Sequence, residues 1–379
     1  MLITVVSFLL SFVGIPVLIH EFNVWRYGGS VFLGSLLAWL ICGLIMIGIF
    51  LSRFRKTSKL LVRAGEGEKK ALEAMSTHRD DEVYQWQGAA ALYHIMLAKA
   101  ETGVTAEDIF QLGGWDHLLT ALKTFPDSKE VAIWVFSAMT FLAKVDAVKK
   151  QVGDEGGLNT IICTMEKCLE AGKQCEIKET EDARATAEMY LNTQKRGCMA
   201  LGQIVDGQPK LQTAAVDEGG LDVVLECMQW YRDHGELQQW ALWAILQLTF
   251  EHPANRVYLL KKGGMRLVLD SLKNHAQARK VQCQGLGVVM SSFQLADGID
   301  TSLVCKLAMN DGLEKIAQEA KERFPSDVYI IQVCDQLLSI CNEIKLHIQY
   351  SSSPAAPIID QNDSEQIEKL KSDLVSAYS

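Results

Sequence analysis

Small and apolar residues recur at helical spacing along most of this chain. The clearest helix is expected to end before Pro253, because proline lacks the amide hydrogen that a helix interior needs. One face of that helix consists of Ala241, Ala244, Ile245 and Leu248, which predicts close packing. A second helix is expected from Arg256 to Lys262, with Asn255 as its N-cap. The pair Gly263-Gly264 then ends it, since glycine readily adopts the left-handed conformation of helix termini.

Similar glycine boundaries occur along the chain at intervals of 43, 63, 44 and 48 residues. They are Gly113-Gly114, Gly156-Gly157, Gly219-Gly220, Gly263-Gly264 and a degenerate Asp311-Gly312. The sequence after each boundary predicts an amphipathic helix. Helices rich in small residues are predicted at Gly88 to Met96, Val131 to Leu142, Gly197 to Val205, Trp240 to Leu248, Val281 to Phe293 and Val328 to Ile340. A period near 40 to 47 residues is typical of helical solenoids.

This alternation resembles the armadillo-repeat family over residues 80–347. The resemblance implies an all-α fold, an armadillo-type α-solenoid of about five to six repeats. The 63-residue interval contains an insertion at about residues 167–196. It either extends two helices or forms a loop beyond the stack, and it is either a solvated insertion or a partner-binding excursion.

The first 51 residues contain two stretches without charge, residues 2–19 and 31–51. Both are predicted to be transmembrane helices in contact with the lipid bilayer, joined by a short non-cytosolic loop at residues 20–30. The first stretch, within residues 1–19, is either a retained helix or a cleaved signal-like segment. Residues 52–79 form a basic flank and linker helix, which places the following chain in the cytosol. The endoplasmic reticulum and the mitochondrial outer membrane both fit.

Composition adds constraints on the rest of the chain. The net charge is −9 over 379 residues, and the acidic balance lies after the membrane segments, which argues against nucleic-acid binding. The ten cysteines match no metal-binding spacing and are expected to be reduced, buried thiols. Residues 348–379 are predicted to be a flexible tail, whose Ile367, Leu370 and Leu374 have helical spacing.

The sequence contains no recognisable catalytic motif. It lacks the phosphate-binding loop, the H-E-x-x-H zinc motif, the G-x-S-x-G nucleophile motif and the kinase signatures. We therefore expect no enzymatic activity, no cofactor, no metal and no small-molecule substrate. Gly285 and Gly287 favour close helix packing over a phosphate cradle.

The armadillo resemblance also implies a concave groove lined by the third helix of each repeat. Nuclear-import members of the family hold an extended basic peptide there through Trp and Asn residues four positions apart. The aligned pairs here are Ala90/His94, Trp134/Ala138, Met199/Gln203 and Trp243/Gln247, so the regular ladder is missing. The expected protein-binding groove residues are His94, Trp134, Gln203, Trp243 and Gln247. The alternative is that the two tryptophans pack between helices.

Together these features predict a membrane-anchored, cytosol-facing scaffold or adaptor that binds protein partners through the groove. Two alternatives remain open. The chain is a regulatory subunit of a membrane-associated enzyme, or it is an enzyme with an unrecognised active site.

Overall fold

The computed structural model of the protein describes residues 67–178, 180–293 and 301–351. The chain divides into two units, residues 1–62 and 63–379, and every described residue belongs to the second. The predicted segments 2–19, 20–30 and 31–51, the basic flank up to residue 66 and the tail from residue 352 therefore lie outside the described residues.

The described part of the chain contains helices and no strand. Five three-helix repeats follow a two-helix unit. That unit is α1 (Gly67–Thr77) and α2 (Glu82–Leu97), followed by the single turn α3 (Lys99–Thr102). The first helices of the repeats are α4 (Ala106–Gln111), α7 (Asp146–Glu155), α10 (Pro209–Asp217), α13 (Pro253–Lys261) and α16 (Thr301–Asn310). The second helices are α5 (Gly114–Thr124), α8 (Leu158–Ile177), α11 (Gly220–Trp230), α14 (Gly264–Asn274) and α17 (Leu313–Arg323). The third helices are α6 (Lys129–Leu142), α9 (Glu181–Val205), α12 (Gly235–Thr249), α15 (Arg279–Ser292) and α18 (Val328–Ser351).

Equivalent helices form rows. Each third helix packs against the next third helix, beginning with α2, and each second helix packs against the next second helix, beginning with α1. The apolar core lies where the rows meet, because the third helices turn small residues toward the second helices. A side chain added at Gly88, Gly197 or Gly285 would overlap the side chain of Met75, Met165 or Leu272, respectively. Neighbouring repeats therefore bury a continuous core, as expected of a helical repeat fold.

The glycine pairs at residues 113–114, 219–220 and 263–264 have two structural roles. The first glycine is left-handed, with φ of +78° at Gly113, +88° at Gly219 and +69° at Gly263, a conformation that other residues adopt at a cost. The single glycine of the degenerate boundary, Gly312, has the same conformation with φ of +90° and occupies the same N-cap position. The second glycine lies against the backbone of the preceding helix. A Cβ at Gly220 would be 2.7 Å from the Ala215 carbonyl oxygen, and one at Gly114 would be 2.7 Å from that of Ile109.

Four buried glutamines join the second and third helices. Their side-chain amides donate to carbonyl groups of the second helices: Gln85 to Met75 (2.9 Å), Gln194 to Met165 (2.8 Å), Gln238 to Met228 (2.9 Å) and Gln282 to Leu272 (2.8 Å). All four side chains are at most 3% exposed. The Met75, Met228 and Leu272 carbonyls lie at helix ends, where carbonyls lack intrahelical partners, so Gln85, Gln238 and Gln282 satisfy groups that the core would otherwise leave unbonded. The Met165 carbonyl lies inside the lengthened α8.

The insertion lengthens two helices. Gln85, Gln238 and Gln282 each lie 10 residues after the residue whose carbonyl they bind, whereas Gln194 lies 29 residues after Met165. The insertion therefore adds 19 residues. They extend α8 to 20 residues and α9 to 25. The added turn of α8 contacts the next second helix, where the Trp230 indole donates to Glu176 at 2.8 Å.

The helix after Pro253 differs from the expectation in its start and in its N-cap, whereas the preceding helix ends before Pro253 as predicted. Helix α12 ends at Thr249, and Pro253 begins α13, a position that suits its fixed φ. The N-cap of α13 is His252. Asn255 does not cap this helix: it is buried, and it donates to the carbonyls of Gln212 (3.1 Å) and Leu248 (2.7 Å).

The packed repeats also begin before residue 80. Helix α1 contacts both α2 and α5 and buries Ala71, Leu72 and Met75, because its apolar positions repeat the pattern of a second helix. Among the described residues, no single helix is long and apolar enough to cross a membrane. One pair, α6 with α7, meets that length and composition test across a bend of 119°.

Candidate binding face on the third helices

The five predicted groove residues all lie on third helices, counting α2 in that row. His94, Trp134, Gln203, Trp243 and Gln247 are each half-buried. Among the other members of the aligned pairs, Ala90 and Ala138 are buried in the core and Met199 is half-buried. We call the half-buried side of α2, α6, α9, α12 and α15 the third-helix face. It comprises Tyr93, His94, Trp134, Phe141, Lys195, Arg196, Met199, Gln203, Trp240, Trp243 and Gln247, with the exposed Lys280 beside them.

Four rings form an aromatic cluster where α2 meets α6. The Trp134 ring lies 5.4 Å from the His94 ring and 5.9 Å from the Tyr93 ring, and Phe141 lies edge-on to Tyr93 at 5.6 Å. These centroid distances and tilted geometries are those of favourable aromatic pairs. Burial lowers the pKa of His94 from its ordinary value, so the neutral ring is favoured. Because all four rings are half-buried, part of their apolar surface remains exposed to solvent.

Cationic side chains border this aromatic cluster on two sides. The Arg196 guanidinium of α9 lies over the Tyr93 ring at 6.0 Å, and the Lys144 ammonium lies over the Phe141 ring at 5.0 Å. Both distances fit cation–π contacts. Arg196 therefore connects α2 to α9 across the intervening α6. It also places a positive charge directly beside the aromatic cluster.

Trp243 packs against the neighbouring third helix. A Cβ at Gly202 of α9 would be 2.5 Å from the Trp243 ring, so the indole occupies the space that this glycine leaves open. With its side-chain amide oriented to satisfy both neighbours, Gln247 accepts from the Trp243 indole at 3.2 Å and donates to Asp206 at 2.9 Å. Trp240 lies edge-on to Trp243 at 5.9 Å. Trp243 thus combines an interhelical packing contact with partial exposure.

The structure brings the predicted residues together in two groups. His94 and Trp134 share the aromatic cluster, and Trp243 and Gln247 are hydrogen-bonded neighbours. Gln203 lies between the groups on α9, and no hydrogen bond in the described part of the chain joins it to either. Sequence alignment missed Tyr93, Phe141 and Arg196. A helical-wheel signal existed for Arg196, because Arg196, Met199 and Gln203 lie on one helical face.

The described ranges contain no metal-binding cluster, and most of their cysteines are buried. None of their His, Cys, Asp or Glu residues cluster in threes that could hold a metal ion. The cysteines of these ranges are free thiols, six of them buried, and burial raises the pKa of Cys168 and Cys198 to about 12. A raised pKa favours the protonated thiol at these two positions.

Comparison with known proteins identifies a class of fold. No protein-family model matches the chain, and neither does any curated protein. Two crystal structures of engineered proteins from the Northeast Structural Genomics Consortium are similar. Target OR329 aligns with a TM-score of 0.54 and 18% identity, over 74% of this chain and 96% of its own. Target OR366 aligns with a TM-score of 0.53 and 19% identity, over 74% of this chain and 98% of its own. At this identity the likeness shows the fold alone, which is an all-helical repeat fold.

Proposed function

We propose that the repeats are of the armadillo type and that the chain is a scaffold which binds a protein segment along the third-helix face. The observation that carries the proposal is the half-buried aromatic cluster of α2 and α6. Folded cores cover most large aromatic side chains, and protein interfaces are enriched in those left partly exposed. Trp134 and its neighbours supply rigid contact area at little cost in conformational entropy.

The geometry of the face supports a protein segment rather than a compact ligand. The face runs across five successive third helices, which spreads the contact over a row and favours an extended or helical segment. No small-molecule substrate, cofactor or nucleic acid is part of the proposal, and neither is catalysis.

A photo-crosslinking amino acid placed at Gln203 tests this function. We expect discrete protein adducts in cells, because Gln203 lies in the middle of the face. The matched control is the same substitution at Gln229, an exposed glutamine of the second helix α11, where no adducts are expected. Trp134→Ala should reduce the Gln203 adducts by at least tenfold, since truncating a hot-spot aromatic costs about 2 kcal/mol or more. Equal adducts at both positions would contradict the proposal.

We further propose that residues 2–19 and 31–51 anchor this scaffold in a membrane of the endoplasmic reticulum or mitochondria, with the repeats in the cytosol. The support is sequence alone: two charge-free stretches, with basic residues directly after the second. Protease added outside sealed microsomes or mitochondria should digest the repeats even when no detergent is present to open the membrane. Protection of the repeats until detergent is added would reverse the orientation.

A further inference from the structure

The charges on the third-helix face differ from those of the chain as a whole. The chain carries a net charge of −9, yet Lys195, Arg196 and Lys280 gather around Glu236 where α9, α12 and α15 meet. Lys195 donates to Glu236 at 2.8 Å. This hydrogen bond, together with the charges of Lys195, Arg196 and Lys280, lowers the pKa of Glu236 against the opposing effect of its partial burial. The group as a whole is cationic.

Three carboxylates near the N-terminal ends of third helices already have cationic partners. Glu236 is bonded by Lys195, Glu130 pairs with Lys129 at 3.0 Å, and Asp327 pairs with Arg279. By contrast, Arg196 and Lys144 lie over aromatic rings, and Lys280 is exposed beside the Glu236 pair. Arg196 and Lys144 therefore flank the aromatic cluster, and Lys280 lies farther along the face, beside Glu236.

We propose that the third-helix face binds an acidic segment of a protein partner, whose carboxylates contact Arg196 and Lys280 and whose apolar side chains cover the aromatic cluster. The proposal rests on the proposed function and adds the chemistry of the partner. It is the opposite charge preference to that of the nuclear-import armadillo proteins, which hold basic peptides. The Arg196 guanidinium lies over the Tyr93 ring and, among the described residues, donates only to the weak acceptor Met199 Sδ, at 3.9 Å, and a planar guanidinium suits two-point binding of a carboxylate.

Peptide binding to the purified full chain in mild detergent tests this charge preference. The probe is a short labelled peptide in which Glu and Asp alternate with Leu. Two counterparts replace the acidic residues with Gln or with Lys. We expect the acidic peptide to bind most tightly and the Lys peptide least, with an affinity that falls as salt rises because exposed charges are screened. Equal binding of the acidic and Gln peptides would overturn the proposal.

A double variant tests the two cations directly. Arg196→Gln with Lys280→Gln should weaken binding of the acidic peptide by about tenfold, since each exposed ion pair contributes roughly threefold. The matched control removes the same charge from second helices, by Lys273→Gln with Lys315→Gln, and should leave affinity within about twofold. Thermal unfolding of both double variants verifies that the fold is retained. Unchanged affinity in the Arg196 and Lys280 variant overturns the proposal.

The photo-crosslinking experiment separates this inference from the proposed function. Adducts at Gln203 that persist in the Arg196 and Lys280 variant would leave the scaffold function standing and refute the acidic partner. Loss of those adducts in this variant, but not in the Lys273 and Lys315 control, supports the acidic partner. The absence of adducts at Gln203 in the unmodified chain would refute both.

Discussion

We expect Gln238→Leu to lower the free energy of unfolding by about 2–4 kcal/mol. Gln238 is buried and donates to the carbonyls of Met228 (2.9 Å) and Tyr231 (3.0 Å) at the end of α11. The Tyr231 carbonyl keeps the amide of His234 at 3.1 Å, whereas Met228 loses the donor that Gln238 supplies. A buried acceptor without a donor costs about 1–3 kcal/mol, and a second lost hydrogen bond adds about 1 kcal/mol. Denaturant unfolding followed by circular dichroism measures the change.

The adjacent Gln239 provides the control. It is half-buried, so Gln239→Leu should change the unfolding free energy by no more than about 0.5 kcal/mol. The equivalent Gln282→Leu should behave like Gln238→Leu, because Gln282 makes the same contacts with Leu272 and His275. If Gln238→Leu and Gln239→Leu unfold at the same denaturant concentration, the hydrogen bonds of Gln238 do not contribute to stability, and the side chain matters only for packing.

The repeat boundaries could be predicted from sequence because their cause is local. A left-handed helix end favours glycine wherever it occurs, so the glycine pairs mark the boundaries directly. Small residues at helical spacing likewise identified the third helices. The start of the repeats was harder to predict. Helix α1 follows no glycine pair, and its packing on α2 and α5 is a tertiary contact.

The glutamines were missed for a different reason. A single glutamine normally indicates a solvated position, and only its partner carbonyl reveals that it is buried. The signal in the sequence is a spacing of ten residues from Met75 to Gln85, repeated from Met228 to Gln238 and from Leu272 to Gln282. The insertion shifts this spacing in α9, and α6 has Ala132 at the equivalent position, so the repetition is incomplete.

The third-helix face was predictable only in part. Helical spacing indicates which residues share one face of one helix, and it placed Trp134 and Trp243 on third helices. Helical spacing does not specify which side chains contact the neighbouring helix. The contacts of Trp243 with Gly202 and of Arg196 with Tyr93 depend on how closely neighbouring helices approach and how each is rotated. Those variables are properties of the assembled repeats.

Gly220→Ala should destabilise the fold by about 2–3 kcal/mol, because the added methyl group meets rigid backbone. Its Cβ would lie 2.7 Å from the Ala215 carbonyl oxygen and 3.2 Å from the Ile162 side chain. The carbonyl belongs to α10, which cannot move without separating from α11. The added methyl group therefore overpacks the contact and strains the surrounding backbone.

The matched control is Gly153→Ala in α7, an exposed helical position where the nearest atom is a Leu211 methyl at 3.5 Å. There alanine should raise stability by about 0.5–1 kcal/mol, through its higher helix propensity. Equilibrium unfolding of the two variants compares the same chemical change with opposite expected signs. Stabilisation of both would show that the second glycine of the boundary is needed only for its backbone freedom and not for close contact between the first and second helices.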